Sequence, residues 1–139
     1  FRHDLRVRYV ETDAQAVVYH SNYLVYCDAA RVEWFRALAG GGTPWREERD
    51  YDVVLVHASL DFKSSARFDE PLTIWMRLEH VGSSSFTFVY RIERAGELLC
   101  AAKTVHVAIN RQERTKRPLP EPFKQRLVAF DASGGSRSG

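Results

Sequence analysis

No apolar run in these 139 residues approaches the length of a membrane span, and no signal peptide is visible, so no membrane-spanning helix is expected within them. Cysteine is scarce. Only Cys27 and Cys100 occur, inside apolar segments and without metal-like spacing, so neither a disulfide framework nor a cysteine metal site is expected. Two reduced core thiols fit a cytoplasmic protein. Charge of one sign is lacking too. Twenty Lys and Arg against 18 Asp and Glu leave a net +2, too little for a nucleic-acid binder, although a small phosphate-bearing ligand needs only a local cluster. Residues 131–139 are rich in Gly and Ser and are read as a flexible tail after a single domain of residues 1–130. There is no internal repeat.

What remains is an ordinary globular balance, 45% hydrophobic and 27% charged, in a chain long enough for one real core. Residues Asp4 to Val10 alternate, with Leu5, Val7 and Tyr9 on one side, as a half-buried strand does. A loop from Glu11 to Tyr19 follows, and Ser21 or Asn22 is placed to cap a helix. From Leu24 to Ala39 only Asp28, Arg31, Glu33 and Arg36 are charged, and they are spaced to pair as Asp28/Arg31 and Glu33/Arg36. A helix so apolar on most sides predicts enclosure. Gly40, Gly41 and Gly42 end it, and Thr43 to Asp52 reads as a polar connector.

Four strands are then predicted in meander: Val53–Phe62 (Val54, Val56, Ala58, Leu60 and Phe62 sharing a face), Leu72–Leu78, Phe86–Glu93 and Leu98–Ile109. A short helix over Phe123–Phe130 closes the chain after Pro118, Pro120 and Pro122. One strand, one long helix and four strands make an α+β fold, an antiparallel sheet wrapped around the helix. The outer face, with Trp75, Val89 and the second side of the last strand, calls for cover by another copy and predicts a homo-oligomer.

The run Asp13-x-x-Ala16-Val17-Val18-Tyr19-His20-x-x-Tyr23 resembles the active-site loop of hotdog-fold acyl-CoA thioesterases. It is similar to the 4-hydroxybenzoyl-CoA thioesterase group, and most to its Tol–Pal-associated branch. Lys116-Arg117-Pro118-Leu119-Pro120 resembles that branch's basic, proline-rich ending. The resemblance implies the hotdog fold, hydrolysis of acyl-CoA to free acid and CoA, no cofactor, a dimer or dimer of dimers (a homotetramer), and an oxyanion role for the amide at His20. Ala16 departs from it, since the family has Gly there. If that Gly serves a positive φ, Ala16 strains the loop.

The residues support this chemistry directly. A carboxylate near its ordinary pKa of about 3.9 is ionised at neutral pH, so Asp13 can act as general base toward water or as nucleophile. Amides around Tyr19 to Tyr23, at the helix start, carry partial positive charge that an oxyanion would use. The His20 side chain either orients water or substrate, or caps the helix. Asp13 taken alone also suits an Asx turn. Glu11, Asp13 and His20 fit no compact metal pattern, and Ser83–Ser85 lack a nucleophile-elbow glycine. For the CoA phosphates two basic clusters compete, Lys63-Ser64-Ser65-Ala66-Arg67 and Arg111, Arg114, Lys116 and Arg117, with Ser84 bordering the pantetheine channel. Tyr19, Asn22 and Tyr23 are expected at the substrate. Two rival functions are a hotdog acyl-thioester hydratase or dehydratase and a non-catalytic acyl-CoA binding module.

Overall fold

A computed structural model describes residues 1–41 and 50–135. Most of the polar connector expected from Thr43 to Asp52, and Gly42, lie outside the described residues. The order is β1 (Arg2–Arg6), a 3-10 turn (Tyr9–Glu11), α1 (Ser21–Leu38), β2 (Tyr51–Phe62), β3 (Pro71–Val81), β4 (Ser85–Arg94), β5 (Glu97–Asn110) and α2 (Glu121–Ala132).

The sheet is antiparallel with spatial order β1-β3-β4-β5-β2. Only β3, β4 and β5 form the expected meander; β2 pairs with β5, and β1 with β3. The physical reason lies in residues 63–70, which cross the end of the sheet from edge strand β2 to β3, the neighbour of β1. The Lys63 amide donates to Leu99 O (2.8 Å), and the Val7 amide to Glu70 O (3.0 Å). Arg94 fastens the crossing by donating to Ser65 O (3.0 Å) and to the Glu70 carboxylate (2.9 Å).

The helix-facing side of the sheet follows the alternation. Leu72, Ile74 and Met76 of β3 and Phe86, Phe88, Tyr90 and Ile92 of β4 are buried, as period two requires. In β2 the alternation is broken by a bulge between Leu55 and His57. Before it Val53 lies opposite buried Ala108; after it Leu60 lies opposite Ala102 and Phe62 opposite Cys100. The extra residue swaps faces, so Val54, opposite Val107, and Val56, 55% exposed, leave the face assigned to them. β1 ends at Arg6, and the chain tightens into the 3-10 turn, leaving Tyr9 and Val10 about three-quarters exposed.

Helix α1 buries Tyr23, Tyr26, Cys27, Ala30 and Trp34, one stripe at helical spacing, against β1, β3 and β5. Within one chain this is a helix laid across a sheet, with Val25 on its far side 48% exposed. Trp34 is the anchor, edge-on to Phe88 (5.0 Å) and Phe130 (4.8 Å). The expected pairs form, Asp28–Arg31 at 2.6 Å and Glu33–Arg36 at 3.3 Å. The helix stops at the glycines: Gly40 and Gly41 take φ of 93° and 89°, and the Gly41 amide returns to Arg36 O (2.8 Å). α2 runs two residues past the predicted end, because Asp131 accepts the Leu78 amide of β3 (2.8 Å); the segment read as a tail therefore begins inside a helix.

Candidate active site

The chain between β1 and α1 builds the site. Its first part is the 3-10 turn, closed by the Glu11 amide on Arg8 O and the Thr12 amide on Tyr9 O, both 3.0 Å. A short hairpin comes next. Thr12 lies opposite Val18, and the Asp13 amide donates to Val17 O (2.9 Å). The Ala16 amide returns to Asp13 O (2.9 Å), and Ala16 takes φ +65°. Alanine in that left-handed region costs roughly 1–2 kcal/mol, so the strain anticipated for Ala16 is present.

Asp13 sits at this turn, half-buried. Its Oδ1 accepts the Gln15 amide (2.8 Å), which is an Asx turn. Oδ2 has no partner among the described residues and is free to face a ligand. The Asx geometry and a chemical role are therefore compatible, since the one holds a single oxygen and leaves the other.

The hairpin docks on the crossing segment. Val18 donates to Ala66 O (2.9 Å), and Val17 lies opposite Arg67. Chain then enters α1 through His20, whose backbone is already helical (φ −55°, ψ −35°). This explains why neither Ser21 nor Asn22 caps the helix. The first turn closes by short-range bonds instead, with the Asn22 amide on Tyr19 O (2.9 Å) and the Tyr23 amide on His20 O (3.3 Å). The amides of His20 and Ser21 have no acceptor among the described residues, as expected of a helix start. The His20 ring is exposed and packs on Tyr19, centroids 4.2 Å apart.

The other expected contacts divide into two places. The Asn22 side chain donates to Glu11 O (2.9 Å), and the Tyr23 hydroxyl accepts the Ala66 amide (3.0 Å) deep in the core. Tyr23 is 3% exposed, and burial holds its hydroxyl above the usual range. Ser64, Ser65 and Arg67 lie on the crossing segment beside the hairpin. Ser84 and Arg117 stand at the other end of β4 and β5, where Ala108 donates to Ser84 O (2.9 Å) and Arg117 reaches Asp50 (3.0 Å). Ten-residue β4 separates the two places by roughly 30 Å.

Glu11 escaped the sequence reading except as a metal ligand. Its carboxylate is 7% exposed and fully engaged: Oε1 accepts the Arg8 amide (2.8 Å) and the Tyr26 hydroxyl (2.9 Å), and Oε2 accepts Arg8 Nε (2.8 Å). Burial pushes its pKa up, but these three donors outweigh burial and hold it below the ordinary value. Arg8 three residues before Glu11 is spaced for an ion pair; the Tyr26 contact has no sequence signal. The thiols take no part, since burial pushes Cys27 up and Cys100 up to about 11.

Residues 7–127 match the thioesterase-like superfamily. The chain belongs to that family. Among its relatives, a 1,4-dihydroxy-2-naphthoyl-CoA hydrolase of Synechocystis is 30% identical over 133 residues, 94% of this chain and 96% of that protein. The acyl-CoA thioesterase YbgC of Haemophilus influenzae is 32% identical over 108 residues, 78% and 79% of the two chains. The crystal structure of a 1,4-dihydroxy-2-naphthoyl-CoA thioesterase from Synechocystis superposes with a TM-score of 0.83 at 29% identity, covering 94% of this chain and 97% of that one. The five-stranded antiparallel sheet with one long helix laid against it is the hotdog fold.

Proposed function

We propose that this member of the thioesterase-like superfamily hydrolyses acyl-CoA thioesters to free acid and CoA. The observation that carries the reading is Asp13, a carboxylate with one oxygen fixed by the Gln15 amide and the other unpartnered, on the hairpin that leads into the α1 N-terminus. Asp13 acts as general base toward water or as nucleophile on the carbonyl. The His20 amide and its neighbours receive the oxyanion, a donor of this kind being worth about 3 kcal/mol of barrier. The His20 and Tyr19 rings and Asn22 border the acyl thioester, and Tyr23 shapes the pocket from within the core. Ser64, Ser65 and Arg67 form the rim that meets the CoA phosphates.

No metal or redox cofactor is needed for this chemistry. The enzyme works as a homo-oligomer in the cytoplasm, supported by two free buried thiols and by the open edge of β2, where Val56 and Phe62 are more than half exposed. Ser84 and Arg117 reach the substrate of this site only from a second copy.

The test is a panel of short, long and aromatic acyl-CoAs, read by released thiol, with wild-type protein and Asp13→Asn. Thiol release by the wild type that the variant loses supports the proposal. Hydration of an enoyl-CoA without thiol release would transfer the site to the hydratase class, and binding with no turnover of any thioester would leave an acyl-CoA binding module.

A further inference from the structure

One residue uses every polar group it has to join the arms of the site. The Glu11 amide closes the 3-10 turn on Arg8 O, and its carbonyl accepts the Tyr19 amide (2.9 Å) and the Asn22 side chain (2.9 Å). Its carboxylate takes the Arg8 amide, the Arg8 guanidinium and the Tyr26 hydroxyl. The partners fall on three separate pieces: the end of the first strand's extension, the return arm of the hairpin, and the first two turns of α1. Asp13 is two residues after Glu11, and His20 is one residue after Tyr19. Beside the hairpin's own bonds between Asp13 and Val17, Glu11 therefore ties the Asp13 arm directly to α1 through its side chain and its carbonyl.

Resting on the hydrolase reading, we infer that Glu11 is a positioning residue for thioester hydrolysis. It touches no substrate. Its carboxylate, ionised and enclosed, clamps the second turn of α1 through Tyr26 against the turn that precedes Asp13. A neutral amide of the same shape keeps an oxygen for the Arg8 amide and Tyr26, but presents N–H to the Arg8 guanidinium, so donor faces donor and the clamp opens on that side. A small misplacement between a reacting group and an oxyanion donor lowers turnover steeply without weakening ground-state binding.

Two variants test this, Glu11→Gln and Tyr26→Phe, each assayed well below its own melting temperature with the acyl-CoA that the wild type turns over best. The expected result is a kcat at least tenfold lower for Glu11→Gln and at least threefold lower for Tyr26→Phe, with KM within twofold of wild type. Amide hydrogen exchange supplies a readout independent of turnover. The residue 11 amide, on Arg8 O, and the Tyr19 amide should exchange at least tenfold faster in Glu11→Gln, while the β4 and β5 amides keep wild-type rates. A folded Glu11→Gln with wild-type kcat overturns the inference, as does a loss confined to KM or a change in exchange spread evenly over the sheet. If Glu11→Gln does not fold, Tyr26→Phe decides by the same criteria. Should the wild type release no thiol from any acyl-CoA, the hydrolase reading fails by itself, and the exchange data alone decide whether Glu11 clamps the hairpin.

Discussion

The two ends of the sheet are built from similar materials and finished differently. At the far end, residues 110–119 fold back on β5, with Asn110 donating to Thr115 O (2.7 Å) and Leu119 to Ser83 O (2.9 Å). Its arginines are answered from within, Arg111 and Arg114 both meeting Asp52 (3.1 and 3.2 Å) and Arg117 meeting Asp50 (3.0 Å). At the near end, the hairpin and the crossing segment are equally well tied by backbone bonds. Yet the side chains of Lys63, Arg67 and His20 and one oxygen of Asp13 make no hydrogen bond or ion pair among the described residues. Closing an end needs only its own charges in balance; leaving polar groups unpaired beside a helix start is the arrangement a charged ligand would complete.

The strongest way to break this contrast is to neutralise one aspartate at each end. Asp13→Asn should lower turnover by at least a thousandfold, about 4 kcal/mol of barrier, while the protein stays folded and retains CoA binding. Asp52→Asn releases two arginines at the far end and should leave kcat within twofold. Equal losses in the two variants would erase the distinction between the ends, and thiol release at the wild-type rate by Asp13→Asn would remove that residue from the mechanism.

Acid should separate the ends next. His106, toward the far end, is 4% exposed, stacked on Phe86 and bonded to Thr104 (2.9 Å). Burial and then the Arg31 charge push its pKa down to about 3. The folded state keeps it neutral, whereas the unfolded chain protonates it near 6.5. Its contribution is therefore complete above pH 6.5 and declines as pH falls from there toward 3, by up to about 1.4 kcal/mol per unit. Glu11 at the near end has a depressed pKa, so its contribution is present above its unfolded value and is lost only as pH falls below about 4.5. Urea midpoints between pH 7 and 5 should fall in the wild type and flatten in His106→Gln. An unchanged slope in that variant would assign the acid sensitivity elsewhere.

These contrasts also show what could be read in advance. The alternation in β3 and β4 and the apolar run of α1 are set by local periodicity, so they were legible, as were the Asp28–Arg31 and Glu33–Arg36 pairs. The hairpin motif from Asp13 to Tyr23 was legible by resemblance. The β2 bulge was not, because Val54 and Val56 continue the alternation that the extra residue interrupts. The sheet order was hidden for another reason: an eight-residue link serves a neighbouring strand or a crossing equally well, and the bonds of Lys63, Val7 and Arg94 that choose the crossing come from distant segments. Glu11 is the sharpest case. Its hydroxyl donor lies fifteen residues away on the helix, a contact that exists only once the helix has docked.

A smaller effect concerns the phosphates. Arg67→Ala should raise KM for acyl-CoA about fivefold, about 1 kcal/mol, with kcat unchanged and the effect fading as salt increases. Arg114→Ala, already paired with Asp52, should change KM by less than twofold. The reverse pattern would place the nucleotide at the far end, and with it Arg117 and Ser84.

The smallest expected change tests the hairpin's backbone. Ala16 is exposed, so little side-chain burial offsets the cost of φ +65°. Glycine removes that cost, roughly 1–2 kcal/mol, and adds about 0.4–1 kcal/mol of unfolded-state freedom. Ala16→Gly should therefore stabilise the protein by up to about 1.6 kcal/mol. Turnover should stay within twofold, because the Ala16 amide already reaches Asp13 O (2.9 Å) in the conformation that glycine prefers. A rise in the urea midpoint with unchanged kcat would show that strain at the near end is incidental to its chemistry. A rise accompanied by a several-fold loss of kcat would instead show that the strained turn holds Asp13 where the reaction needs it, and that the near end differs from the far end in its backbone as well as in its unpaired charges.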